Sequence, residues 1–166
     1  MIHAAGWPVP VGKWQGDVHQ RRVFALTADL PEGTKIPTGN LFDTEQPLNF
    51  YRLIGQREML LGGQDGKLGA SPAEKQASEQ RLEAFLQRMF PGSDVTRRWS
   101  GVINETADGM PYIGEHPEFK GKVFVSTGFG GTGLVWSGVS SLIMPGMLRG
   151  KANPNPELFA PARTQS

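Results

Sequence analysis

The sequence has no cysteine among its 166 residues. That excludes disulfides, thiolate metal sites, a cysteine nucleophile and a cysteinyl cofactor link, and it leaves the redox compartment open. Charge of one sign is also lacking. Lys and Arg number 17 against 16 Asp and Glu, a formal net charge of +1, so composition makes no electrostatic case for nucleic acid or acidic membranes. No apolar run approaches the roughly 20 residues that span a bilayer. The first residues show no basic segment leading into an apolar core, so a cytoplasmic protein without a secretory signal is expected. His3, His19 and His116 stand apart, with no spacing suited to a metal or to nucleophilic catalysis, and no metal site is expected.

What the chain has in quantity is Gly (22) and Pro (13), together with a modest 38% of apolar residues. That composition suits short strands and turns around one core, with room for one domain and a small satellite. Residues 1–20 read as irregular, interrupted by proline and glycine. "RRVFALTADL" (21–30) reads as a strand, and "PEGTKIPTGNLFDTEQP" as turn-rich loop. "LNFYRLIGQREMLLGGQDG" reads as a hairpin that turns at Gly55–Gln56 and closes at Gly62–Gly63. Alternation puts Asn49, Tyr51 and Leu53 on one of its faces and Phe50, Arg52 and Ile54 on the other.

The clearest helix follows. Ser71–Pro72–Ala73–Glu74 is a capping box with Pro at the first helical position, where its missing N–H costs nothing. Ala77, Leu82, Phe85, Leu86 and Met89 recur near helical spacing, and Pro91–Gly92 stops the run. "DVTRRWSGVIN" reads as a strand that Gly101 can bend, "GMPYIGEHP" as a short extended piece and "GKVFVST" as a buried strand. A helix then runs from about Gly133 to Leu148 and is stopped or kinked at Pro145–Gly146. The proline-punctuated tail, 151–166, is expected along a surface. The fold class is α+β. An antiparallel sheet from strands near 22–28, 48–54, 57–62 and 94–102 is covered by helix 72–90, and a C-terminal strand–glycine–helix unit forms a second layer. Four segments result: 1–20, 21–102, 103–150 and 151–166.

"VFVSTGFGGTGLVWSGVSSLIM" (123–144) poses the chemical question. Gly128, Gly130 and Gly133 satisfy the G-x-G-x-x-G spacing of a dinucleotide turn. Such a turn opens a βαβ unit whose second strand ends in an acid. Here the helix is followed by "NPNPELFAPAR", and proline cannot donate to a central ladder. The pyrophosphate reading therefore fails on context. Two readings of the corner remain: a tight turn whose glycines serve only packing, or bare backbone and unpaired helix N–H groups that receive a flat ligand.

As a set, "RRWSGVINETADGMPYIGEHP", "KVFVSTGFGGTGLVWSGVSSLI" and "GKANPNPELFAPAR" resemble the C-terminal part of the DAO-type FAD-dependent oxidoreductases, the amine and amino-acid oxidases and dehydrogenases. "FYRLIGQREMLLGGQDG" resembles their substrate-domain hairpin. The tail resembles a branch in which some members continue into a Rieske domain, although the iron-ligand cysteines are absent here. The resemblance implies that Gly128, Phe129, Gly130, Gly131, Thr132, Gly133 and Leu134 pass beside the ribityl chain and pyrimidine edge of FAD, with the helix N-terminus at N1–C2=O. Asp108, Gly109 and Met110, in the T-x-D-G-x-P-x-I-G element, would run near the ring. Gly101 falls where some relatives carry the flavin-linking cysteine, so any FAD is not cysteine-linked.

Tyr51 and Arg52 are the substrate candidates. Arg52 can fork onto a carboxylate or be a surface arginine of an edge strand, and Tyr51 can line a pocket or pack. Arg97–Arg98 is an anion site or a solvated strand end. Asp108, Glu105 and Glu115 are close in sequence, and none is assigned as a general base. The family's N-terminal nucleotide-binding fingerprint has no counterpart here, so the chain is expected to be the second half of such an enzyme. It would bind FAD weakly or not at all alone, and partner an N-terminal Rossmann half or itself through an exposed sheet. Two functions follow: part of an FAD-dependent oxidoreductase passing hydride from a small amine or amino acid to flavin, or a non-catalytic fragment or partner subunit that binds no FAD without the complementary half.

Overall fold

The computed structural model describes residues 1–4 and 6–163. Its elements in order are β1 (Ile2–His3), β2 (Val18–Asp29), β3 (Leu41–Phe42), β4 (Asn49–Leu53), β5 (Glu58–Lys67), α1 (Pro72–Met89), β6 (Asp94–Thr106), β7 (Tyr112–Glu115), β8 (Phe124–Thr127), a 3-10 turn (Gly130–Thr132), α2 (Gly133–Leu148) and α3 (Pro156–Phe159). They make the α+β architecture expected. The chain divides into two compact units, Arg21–Val102 and the combination of Met1–Gln20 with Ile103–Ser166.

In the unit 21–102 a five-stranded sheet runs in the order β3-β4-β5-β2-β6. The hairpin pairs antiparallel from Asn49↔Gly63 to Leu53↔Met59, and β5 pairs antiparallel with β2 from Arg21↔Lys67 to Asp29↔Glu58. Where the glycine pair was expected to close the return strand, β5 continues through it to Lys67. Gly62 is needed there because a Cβ at that position would fall 2.2 Å from Cζ of Phe50, its cross-strand partner. The Phe50 ring rests directly on bare main chain.

One face of this sheet meets α1. Ser71 caps the helix reciprocally with Glu74, as the capping box requires. Leu82, Phe85 and Leu86 bury against Phe24, Leu26, Ala28, Leu30, Met59 and Leu61. Behind the loop before β4 lies a satisfied polar chain. The fully buried Asn49 donates to Asp43 (2.6 Å) and accepts from Gln64 (3.1 Å), and Gln64 accepts from Arg81 (2.9 Å). Burial works against the Asp43 carboxylate, but hydrogen bonds from the Asn49 backbone and side chain, from the Glu45 amide and the nearby Arg88 charge hold its pKa below the ordinary value.

In the other unit β8 lies between β1, parallel, and β7, antiparallel. The sequence reads 1–20 as irregular, yet Ile2 and His3 pair with Phe124 and Val125, and β2 begins already at Val18. A two-residue strand between a charged terminus and a glycine-rich loop has no periodicity to announce it. Ile143, Met144 and Met147 of α2 pack with Ile113, Phe124 and Phe159. Pro145 sits inside α2, which continues to Leu148.

His116, which reads as a loop residue, is fully buried. Its Nδ1 accepts from the Glu118 amide at 3.2 Å, and its ring lies between Trp14 and Phe119. Most of the described tail, expected along a surface, is exposed, while Phe159 and Pro161 turn inward and the Arg163 side chain is 3% exposed. Residues 164–166 of that expectation lie outside the described residues.

Candidate functional site

The glycine corner grows out of β8, whose four residues are all buried. Gly128 has φ +79°, and a Cβ there would sit 2.6 Å from Cγ2 of Thr106. This glycine serves the protein's own packing. Gly130 also has positive φ, +54°, beside the Glu105 carboxylate, and Glu105 bridges Phe129. Gly131 is different: a Cβ there would meet nothing within 4 Å, and one at Gly133 would only touch Cβ of Phe129 at 4.0 Å.

Thr132 occupies the N-cap of α2 but its side chain makes no capping bond, and the first turn holds no acid. Its hydroxyl donates instead to the Phe129 carbonyl at 3.5 Å. The start of a 16-residue helix thus presents uncapped N–H groups and the positive end of its dipole beside bare, exposed main chain. Leu134 is 92% exposed and Val135 63%. Among the described residues no side chain comes within 4 Å of a Cβ built at Gly131, and the electronegative edge of a planar ligand suits this ground.

Beside the corner, Thr106 links to the loop that carries Asp108, Gly109 and Met110. Its hydroxyl donates to the Met110 carbonyl at 2.7 Å. Asp108 accepts from the Met110 amide at 3.0 Å. The loop is held from the tail by Arg163, which donates to both Asp108 oxygens at 3.0 Å, to the Met110 carbonyl at 2.6 Å and to the Pro111 carbonyl at 3.2 Å. Its guanidinium stacks 4.0 Å from the centre of the Tyr112 ring. Burial opposes the Asp108 charge, but hydrogen bonds from Arg163, the Met110 amide and Thr106, with the Arg163 charge, hold its pKa below the ordinary value. The Asp108 side chain is thereby engaged in shaping the loop. Arg163 carries no local signal in the sequence; only its position in the fold reveals it.

Gly101, by contrast, is exposed on β6 in the unit 21–102, and a Cβ there would meet nothing within 4 Å. Tyr51 and Arg52 occupy opposite faces of β4, as alternation dictates. Tyr51 packs edge-on against Phe90 (5.5 Å) and near Phe85 (6.4 Å), on the side of α1. Tyr51 is half-buried and packs against the core of its unit from the edge. Arg52 is exposed, and its guanidinium makes no hydrogen bond or ion pair among the described residues. Arg98, read as an anion site or a solvated strand end, pairs with Glu83 of α1 at a partly exposed position. No group of three or more His, Asp or Glu suited to a metal occurs among the described residues, and no helix there is long and apolar enough to cross a membrane.

The family model described as "FAD dependent oxidoreductase" (DAO) matches residues 2–144. Among solved structures, glycine oxidase from Geobacillus kaustophilus superposes with a TM-score of 0.73 at 20% identity, over 90% of this chain and 40% of its own. Iminodiacetate oxidase from Chelativorans sp. BNC1 does so with a TM-score of 0.69 at 11% identity, over 89% of this chain and 41% of its own. L-amino acid deaminase from Proteus vulgaris gives a TM-score of 0.69 at 15% identity, over 90% and 47%. At these identities the likeness establishes the fold. The chain spans less than half the length of each.

Proposed function

The chain belongs to the DAO family of FAD-dependent oxidoreductases, and from that premise we propose that it forms the substrate-binding and flavin-ring portion of an enzyme oxidising a small amine or amino acid. The observation that carries this reading is the uncapped start of α2 beside the open main chain of Gly131 and Gly133. Had a side chain capped those amides, or filled that space, the reading would have failed.

In this proposal the Gly131 N–H and the first-turn N–H groups of α2 would hold the electronegative edge of the flavin, while the Thr132 N–H stays on the Phe129 carbonyl. A negative charge that develops there is stabilised by the helix dipole without reorganisation. Gly128, Phe129, Gly130 and Leu134 complete the surface, and the Asp108–Met110 loop flanks it, kept in shape by Arg163 and Thr106. With no cysteine in the sequence, any FAD would not be cysteine-linked. A bound FAD supplies a two-electron acceptor for the hydride on the carbon that bears nitrogen. Arg52 offers a planar fork for a substrate carboxylate. No residue is required as a general base.

The spectrum of the purified chain tests the reading. The chain alone is expected to take up FAD weakly or not at all, and so to be colourless. With FAD and a nucleotide-binding half supplied, in the same polypeptide or another, a bound-flavin spectrum should appear that an amine or amino acid bleaches without oxygen. A fully reconstituted protein that never takes up FAD would overturn it. A second reading, a non-catalytic partner subunit, is favoured by the exposed apolar residues Leu134, Val135 and Leu142 along α2. In either reading those residues await a covering surface, an N-terminal Rossmann half or a second copy. The resemblance of the tail to the Rieske-bearing branch and a cytoplasmic location belong to the same proposal; cell fractionation checks the latter.

A further inference from the structure

The face of the 21–102 sheet turned away from α1 carries an arrangement that the fold does not use. Phe42 of β3 lies directly opposite Phe50 of β4. Their ring centroids are 6.3 Å apart and tilted by 39°. Phe50 is fixed from below by Gly62, whose missing side chain leaves room for the ring. Phe42 nevertheless remains 63% exposed. Two residues along β4 from Phe50, and so on the same face about 7 Å away, stands Arg52, exposed and without a side-chain partner among the described residues.

The Phe42 ring meets Phe50 and leaves most of its surface to solvent. A guanidinium beside an aromatic pair is also the combination that recognises an amphiphilic anion. The planar fork takes a carboxylate bidentately, and the rings take apolar surface at about 25 cal/mol per Å² removed from water. Neither feature alone specifies a ligand: a lone arginine accepts any anion, and a lone aromatic pair any apolar group. Their spacing on one strand selects a molecule with both ends.

We propose that Phe42, Phe50 and Arg52 form a recognition face for a carboxylate bearing an aromatic or bulky apolar side chain. The face can be tested without flavin. All three residues lie in one unit, so the face needs no other part of the chain.

The test is an NMR titration of the isotope-labelled full chain with 3-phenylpropionate. Acetate serves as the carboxylate without a ring, and 2-phenylethanol as the ring without a carboxylate. Phenylpropionate should shift the amides of residues 41–42, 49–53 and 60–62, and bind at least tenfold more tightly than either control. Phe42→Ala and Arg52→Ala, both at exposed positions, should each weaken it about tenfold while leaving spectral dispersion intact, and Arg52→Lys should recover only part. Equal binding of acetate and phenylpropionate, shifts mapping elsewhere, or a Phe42→Ala variant with unchanged affinity would each overturn the proposal. The two proposals fail separately. A chain that takes up FAD on reconstitution but ignores phenylpropionate sinks only the recognition face. One that binds phenylpropionate on these residues but never takes up FAD sinks only the oxidoreductase reading.

Discussion

Arg163 closes a fork on Asp108, with two N–H···O bonds of 3.0 Å across 55 residues of sequence. The arginine side chain is 3% exposed and the aspartate 26%. The same guanidinium also takes the carbonyls of Met110 and Pro111 and stacks on Tyr112. One tail residue thus sets the conformation of the loop next to the glycine corner.

Removal of this fork should be costly. Arg163→Ala removes the charged fork from Asp108 and one donor each from the Met110 and Pro111 carbonyls, and is expected to destabilise the chain by about 3 kcal/mol. At about 2–4 °C per kcal/mol for a chain of this size, thermal unfolding followed by circular dichroism should show a Tm lowered by roughly 6–12 °C. Arg163→Lys should restore little, since a single ammonium cannot fork. An unchanged Tm for Arg163→Ala would show that the fork contributes nothing.

The pH dependence follows from the sign of the Asp108 shift. Its folded pKa is held below the unfolded value of about 3.9. The stability it contributes is therefore fully present above that pH and lost as pH falls through the lower folded value. Asp43, held down by Asn49, acts in the same direction. Tm measured between pH 6 and 2.5 should fall below about pH 4, and Asp108→Asn should make that fall shallower.

Two neighbouring glycines should separate folding from cofactor binding. Gly128→Ala forces a Cβ to within 2.6 Å of Thr106 at a φ of +79° and should cost about 1–3 kcal/mol of stability. Gly131→Ala meets nothing within 4 Å. Its stability should change by less than about 0.5 kcal/mol, while FAD affinity of the reconstituted protein falls at least tenfold. Flavin fluorescence titration reads the second effect. A Gly131→Ala protein with native FAD affinity would remove Gly131 from the proposed site.

Substitution of Ser71 by Ala removes the side chain that caps α1. The expected loss is about 1 kcal/mol, read as a lower midpoint in urea unfolding with an unchanged slope.

Phe50 and Gly62 supply a local test of the sheet. Gly62→Ala places a Cβ 2.2 Å from the Phe50 ring and should destabilise by about 1–3 kcal/mol through overpacking. Phe50→Ala in the same background should relieve the clash, giving a coupling that a double-mutant cycle measures.

The sequence by itself determined the elements whose cause is local. Ser71 and Glu74 mark the start of α1 because the cap is made within four residues, and alternation assigned the faces of β4 because successive side chains of a strand point in opposite directions. The strand–glycine–helix corner was legible for the same reason, since backbone freedom is written in residue type. Tertiary structure decided the rest. Ile2–His3 became a strand only because β8 offered an edge to it. Likewise, Arg163 found Asp108, Phe50 settled on Gly62 and His116 was buried under Trp14 and Phe119 only once distant segments met. Periodicity and capping act over a few residues, whereas these pairings depend on the path by which the chain returns, and no short pattern encodes that path.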